Sequence, residues 1–375
     1  MKKHKKRLLS LLLIPLSILI IYIVKNNEWV AEYIFSRGVY KFISKVINSI
    51  TRYIPFSLME VSIYLLIIAI LMLIIYIFNI MFNNINDRRS KFKNVIVNVA
   101  CIFSILIFSF TLLAGINYHR YTFSKINNII ITDSSVDELY NLNVYLVEKA
   151  SNQRKELELN SKHINSYGVL EISDKSWKDL TSKLNKAYEN LSLEYPVLQG
   201  NYVRPKKVLS SKFMSWTKTT GIFWPFTMEA NINSHAPDYT IPSTMAHEVA
   251  HLRGFMREDE ANYIAFLVCK SSEDLVFQYS GTMLALTHAG NALYREDPIL
   301  YSESRKGFSQ GMSADIRDKS SYWSQFDNTV ISTTANKVND TYLKVNNQKD
   351  GVKSYGRMVD LLLAGFNNIQ EASAD

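Results

Sequence analysis

The sequence predicts an α+β protein, helix-rich with a small sheet, preceded by a three-helix transmembrane anchor. Three observations carry this. Long apolar runs precede residue 117, a helical apolar period runs through most of the remainder, and one stretch alternates like a half-buried strand.

The anchor comes first. Residues 8–24 (LLSLLLIPLSILIIYIV) are uncharged and follow a basic start. A secretory signal peptide begins in the same way, but the following KNNEWVAEY has no small-residue cleavage site, so the run reads as an uncleaved anchor. Residues 58–82 carry one acid, Glu60, near one end, and residues 95–116 carry no charge. Both are long enough for about 30 Å of hydrocarbon. The basic N-terminus and the basic stretch between the second and third runs place both in the cytoplasm. A multi-pass protein of the cell membrane is expected, in contact with membrane lipid, its C-terminal domain (117–375) extracytoplasmic.

The stretch 25–57 holds five cations, Lys25, Arg37, Lys41, Lys45 and Arg52, which oppose that orientation. Trp29, Val30, Tyr33, Ile34, Phe42, Ile43, Val46, Ile47 and Ile50 recur there at helical spacing. The pattern suits a helix in the membrane interface, basic face outward, or a helix packed under the soluble domain.

The net charge of +8 resides wholly in residues 1–7 and 83–93, which flank apolar runs. The remainder is neutral, so no nucleic-acid-binding face is expected. Cys101 lies in an apolar run and Cys269 on an expected helix, and the two predict neither a disulfide nor a cysteine metal site.

Beyond residue 117, stretches 136–160 and 174–191 read as amphipathic helices, the second with Asp174 at its cap. Between 221 and 242, Phe226, Met228, Ala230 and Ile232 alternate with Thr227, Glu229, Asn231 and Asn233. That is a strand period, and Pro225 predicts an edge strand or a strand start. Helical patterns resume after residue 257.

The chemistry concentrates in TMAHEVAHLRGFMREDEAN (244–262). HEVAH fits H-E-x-x-H, in which histidines one helical turn apart hold one ion together. Glu248, rotated about 100° from His247, misses the metal and reaches a water beside it. Zinc lowers the pKa of such a water towards about 7, and a carboxylate can take its proton. Apolar or small neighbours (Met245, Ala246, Val249, Ala250, Leu252) make this a core helix. Gly254 stands where a left-handed residue ends a helix. The preceding strand, FTMEANIN, suits pairing with an extended peptide.

A catalytic zinc needs a third protein ligand. A third histidine three residues after Gly254 is absent; that position is Arg257. Glu258, Asp259 and Glu260 follow, and the helix dipole alone favours acids in a first turn. EDEAN resembles the E-x-x-A-D/N signature that supplies the third ligand in one zincin branch. The likeness puts Glu258 on the metal, with Glu260 as second choice. It gives Ala261 to close helix approach and Asn262 to orienting a histidine.

The three-helix anchor, PFTMEANIN (225–233), HEVAHLRGFMREDEAN (247–262), QYSG (278–281) and NDTYLKVNNQKDGVKSYGRMVDLL (339–362) resemble a bacterial membrane family known as domain of unknown function 3810. Its members resemble zincin peptidases of the gluzincin kind. The resemblance implies a zincin-like metallopeptidase domain and no particular substrate. The expected function is a membrane-anchored zinc peptidase acting on a peptide or protein substrate. Zn2+ would sit on His247, His251 and Glu258, with Glu248 as general base. The alternative is a zinc-binding membrane sensor or assembly factor without turnover. Glu248 speaks against it, since metal binding alone does not need that residue.

His235 and His288 are further candidates for ligands or transition-state donors, and Tyr239, Tyr294 and Tyr355 for an oxyanion partner. Phe223, Trp224 and Phe226 read as core or membrane-facing packing.

Overall fold

The computed structural model describes residues 7–82, 87–159, 163–172, 176–327, 329, 331–335, 337, 341 and 357–374. Three helices are long and apolar enough to cross a membrane: Arg7–Asn26, Leu58–Phe82 and Arg88–Leu113. The α-helical part of the first, Leu13–Asn26, is α1. A π-helical stretch (Val30–Tyr40) then runs into α2 (Lys41–Thr51). The other two long helices are α3 (Leu58–Phe82) and α4 (Arg88–Leu113). In α3, Leu65, Leu66, Ile68, Leu71 and Ile75 are all exposed, an apolar surface that hydrocarbon suits.

The third span differs from its predicted limits, 95–116. It starts at Arg88, because Arg88, Arg89, Lys91 and Lys93 are helix formers and join its first turns rather than a loop. It ends at Leu113, and a buried 3-10 turn, Gly115–His119, follows.

The segment between α1 and α3 packs under the C-terminal part. Ser36, Tyr40, Ser44 and Asn48, four residues apart, are buried on its inner face, while Phe42, Val46 and Ile50 are exposed on the outer one. The second of the two sequence readings therefore holds, with the apolar side outward.

The C-terminal part comprises α5 (Val136–Leu159), α6 (Trp177–Glu194), α7 (Ile241–Leu252), α8 (Glu258–Lys270), α9 (Leu275–Glu296), α10 (Gln310–Ser324) and α11 (Arg357–Ala374). Ser176 caps α6 by accepting from the Asp179 amide; Asp174 lies outside the described residues. Leu142, Leu146 and Ala150 of α5 and Ala285, Ala289 and Leu293 of α9 belong to one core with α7 and α8. Cys101 and Cys269 are both buried free thiols.

The sheet has three strands in the order β1-β3-β2: β1 (Lys206–Lys207), β2 (Gly221–Trp224) and β3 (Glu229–Ile232). β3 pairs in parallel with β1 and antiparallel with β2. The predicted edge strand is therefore the central one, and all four of its residues are buried. The polar half of its alternation faces the membrane segments rather than water. Glu229 accepts from the amides of Leu58 and Met59 at 3.0 and 3.1 Å, capping α3, and Asn231 accepts from Ser57 at 2.6 Å. Glu60 reciprocates by accepting from the amides of Leu209 and Ser210. Pro225 sits in the β2–β3 turn, and the two edge strands are β1 and β2.

Candidate metal centre

The motif helix α7 starts with Pro242 in its first turn and ends in a Schellman turn. Gly254, at φ +89°, donates to the His251 carbonyl at 2.8 Å, and Phe255 donates to Ala250 at 3.1 Å. This tight reversal places Glu258, the first residue of α8, opposite the histidines of α7.

The His247 and His251 Nε2 atoms lie 3.0 Å apart. The Glu258 carboxylate is 3.1 Å from His247 Nε2 and 3.6 Å from His251 Nε2. Each imidazole is held from behind: His247 Nδ1 meets Asn262 Oδ1 at 3.0 Å, and His251 Nδ1 donates to the Phe255 carbonyl at 2.8 Å. That carbonyl only accepts, so neutral His251 turns the lone pair of Nε2 inward. Asn262 does the same for His247. With both rings neutral, two imidazole lone pairs and a carboxylate converge on one point; in the absence of an ion, a proton on His247 Nε2 faces the Glu258 carboxylate, the place a cation would take. Tetrahedral zinc with bonds of about 2.0–2.2 Å needs donor separations of about 3.3–3.6 Å. The three donors fit such an ion with small adjustments.

The site's titrations reflect this crowding. Burial pulls the His247 imidazolium down, and the hydrogen bond and charge of Glu258 outweigh it, lifting His247 to about 9. Burial takes His251 to about 4. Burial opposes ionisation of Glu258, but His251 and His247 hold it below its ordinary value. Glu248, outside the triad, is lifted by burial to about 8.

Glu248 projects towards β2, where the Phe223 amide hydrogen-bonds its carboxylate. Gly221 makes room for it. The metal-ligand candidates, Glu248 and β2 all line one cleft of about 1120 Å³. Tyr239 and His288 line it too, as do Phe223, Trp224 and Phe226. These aromatics are thus cleft walls, and Trp224 also packs against the small cluster of Met59, Val208 and Met214. Phe110, from the last turns of α4, contributes to the same cleft.

The other candidates fall elsewhere. Glu260 faces away and accepts from the Phe123 amide at 2.9 Å and from Arg257 at 3.2 Å. His235 is exposed outside the cleft lining. Tyr294 is exposed and packs edge-on against Tyr301. Tyr355 lies outside the described residues. Sequence reasoning missed the Phe255 carbonyl, whose role depends on backbone direction and leaves no side-chain signal. It also missed Gly221, which needs the strand-to-helix contact to acquire meaning.

No curated protein and no solved structure matches the chain. A family model described as protein of unknown function (DUF3810) matches residues 35–363, from within the π-helical stretch into α11, and the chain belongs to that family.

Proposed function

We propose that the protein is a membrane-anchored zinc peptidase whose cleft faces away from the cytoplasm. The observation that carries this is the convergence of His247, His251 and Glu258 beside a buried glutamate and an edge strand. A bound zinc would supply a Lewis acid that acidifies water and polarises a peptide carbonyl.

The chain's own residues do the rest. Asn262 and the Phe255 carbonyl keep both imidazoles aimed inward, so the ligands need little reorganisation. Glu258 supplies negative charge to the ligand set. Glu248, in its ionised form, takes a proton from the attacking water and later returns it to the leaving amine. Its place against β2 puts it next to a backbone edge on which an extended peptide can lie as an added strand. Tyr239 and His288 are two of the cleft-wall side chains that could donate to the carbonyl oxygen. The positive-inside rule supports the orientation, and protease treatment of intact cells should degrade the C-terminal part.

The test is zinc content and peptide cleavage in the full-length protein and in Glu248→Gln. The wild type should bind zinc and cleave, and the variant should bind zinc and not cleave. A wild type that binds no zinc overturns the reading. One that binds zinc and cleaves nothing in a broad peptide library points instead to a sensor or assembly factor.

A further inference from the structure

A second cavity, about 420 Å³, shares no lining residue with the cleft. It lies between the inner face of the π-helical stretch and α2 on one side and the 196–201 loop with the end of α7 on the other. Five cations line it: Arg37, Lys41, Lys45, Arg120 and Arg253. Among the described residues, no carboxylate does. Glu32, behind the wall, pairs with Arg37 at 2.7 Å and Arg120 at 2.8 Å. Among the described residues, Lys41, Lys45 and Arg253 have no carboxylate partner.

The charges are organised. Arg37, Lys41 and Lys45 are spaced four apart, one position after the buried row Ser36, Tyr40 and Ser44, so helical geometry brings them to one rim. Arg253 is fixed. It donates to the Asn201 carbonyl at 2.8 Å, and its guanidinium fills the place where a side chain on Gly200 would begin. Its Nε is buried without a partner, as is Oδ1 of Asn48 on the facing wall. Burial, then the charges of Arg253, Arg37, Arg120 and Lys45, draw the Lys41 ammonium below its ordinary value.

Clustered cations repel one another, and burial of Arg120 and of the Arg253 Nε adds to the cost, while Lys41 and Lys45 stay exposed at the rim. An anion in the cavity offsets both. The volume accommodates a phosphate group with a short linker, and arginine and lysine donors match its oxygens. We propose that this cavity is a binding site for a phosphate-bearing anion. The exposed apolar face of the same helix (Phe42, Val46, Ile50) favours a phospholipid headgroup as the source over a free phosphate ester. The proposal is independent of the peptidase reading, because no residue of the metal site takes part.

The test uses the full chain in two settings. In nonionic detergent, inorganic phosphate and pyrophosphate are titrated while melting is followed. In nanodiscs, phosphatidylcholine alone is compared with phosphatidylcholine plus phosphatidylglycerol, and retained lipid is read by native mass spectrometry. The wild type should be stabilised by one of these anions. Response to phosphate or pyrophosphate identifies a soluble ligand, and response to phosphatidylglycerol alone identifies a headgroup. Lys41→Gln/Lys45→Gln, on the exposed rim, should melt no lower than wild type without anion and bind at least about tenfold more weakly. Lys207→Gln/Lys212→Gln, equal in charge and outside the cavity, should bind as wild type. Absence of anion binding by the wild type overturns the proposal. So does an equal loss in both double variants, which would show unspecific charge attraction.

Discussion

The carboxylate of Glu248 occupies the space that a side chain on Gly221 would need: a Cβ there would lie 2.5 Å from Oε1. The edge strand and the proposed base are in contact only because residue 221 has no side chain. Gly221→Ala should therefore push Glu248 from its position while leaving the three metal-ligand candidates in place. Cleavage is expected to fall about hundredfold, the cost of roughly 1 Å of misplacement, with zinc content unchanged. Metal analysis beside a peptide assay checks this, and loss of zinc in the variant would contradict it.

Glu258 and Glu260 separate two roles within one acidic turn. Glu258→Ala should abolish zinc retention through dialysis. Glu260→Ala should keep zinc but lose about 1–3 kcal/mol of stability, because the buried Phe123 amide loses its acceptor. Melting curves and metal content of both variants decide the assignment; a reversed pattern would place the third ligand at residue 260.

Asn262 hydrogen-bonds Nδ1 of His247 and so fixes its ring. Asn262→Ala is expected to weaken zinc about tenfold to hundredfold, while Asn262→Asp, which keeps an acceptor at that place, should retain most of the affinity. Competition with a chromogenic chelator measures both.

Much of this site was legible in the sequence because its logic is local. The H-E-x-x-H spacing, a helix-ending Gly254 and an acid soon afterwards involve sixteen consecutive positions or fewer, and helix geometry relates them directly. The strand was legible as a strand but not in its place. Its alternation of Glu229 and Asn231 with apolar residues reads as a solvent-facing side, whereas those two polar groups face Leu58, Met59 and Ser57, some 170 residues earlier. Periodicity reports local surroundings and not which distant segment supplies them. The same holds for Tyr40, whose hydroxyl donates to the carbonyls of His251 and Leu252.

Lys206 carries a pH dependence. Its ammonium is buried, donates to the carbonyls of Thr51 and Ile54 at 2.8 and 2.5 Å, and lies 3.9 Å from Glu229. Burial foremost brings it down to about 8 from 10.5. The folded chain therefore gives up this proton more readily than the unfolded chain. Its unfavourable contribution is full below about pH 8 and disappears as pH rises towards 10.5. Relative to Lys206→Met, the wild type should gain stability across that interval, by at most about 3 kcal/mol. Parallel melts of the two proteins over this range provide the check, and parallel curves would show that the lysine is not buried as described.

Glu229 on the first amides of α3, Lys206 on the carbonyls of Thr51 and Ile54, and Arg120 on Glu32 at 2.8 Å have one consequence in common. The end of the last span at Leu113 is not the end of the packed unit. A fragment beginning at residue 117 would take Glu32 from Arg120 and would strip Glu229 and Lys206 of their backbone partners at residues 51–59, leaving those two only each other at 3.9 Å. Such a fragment should not fold, and a protease that cut the chain there would destroy the cleft rather than release it. On the proposed peptidase reading, the cleft would then work only while joined to its three long apolar helices, and its substrate would have to come to them.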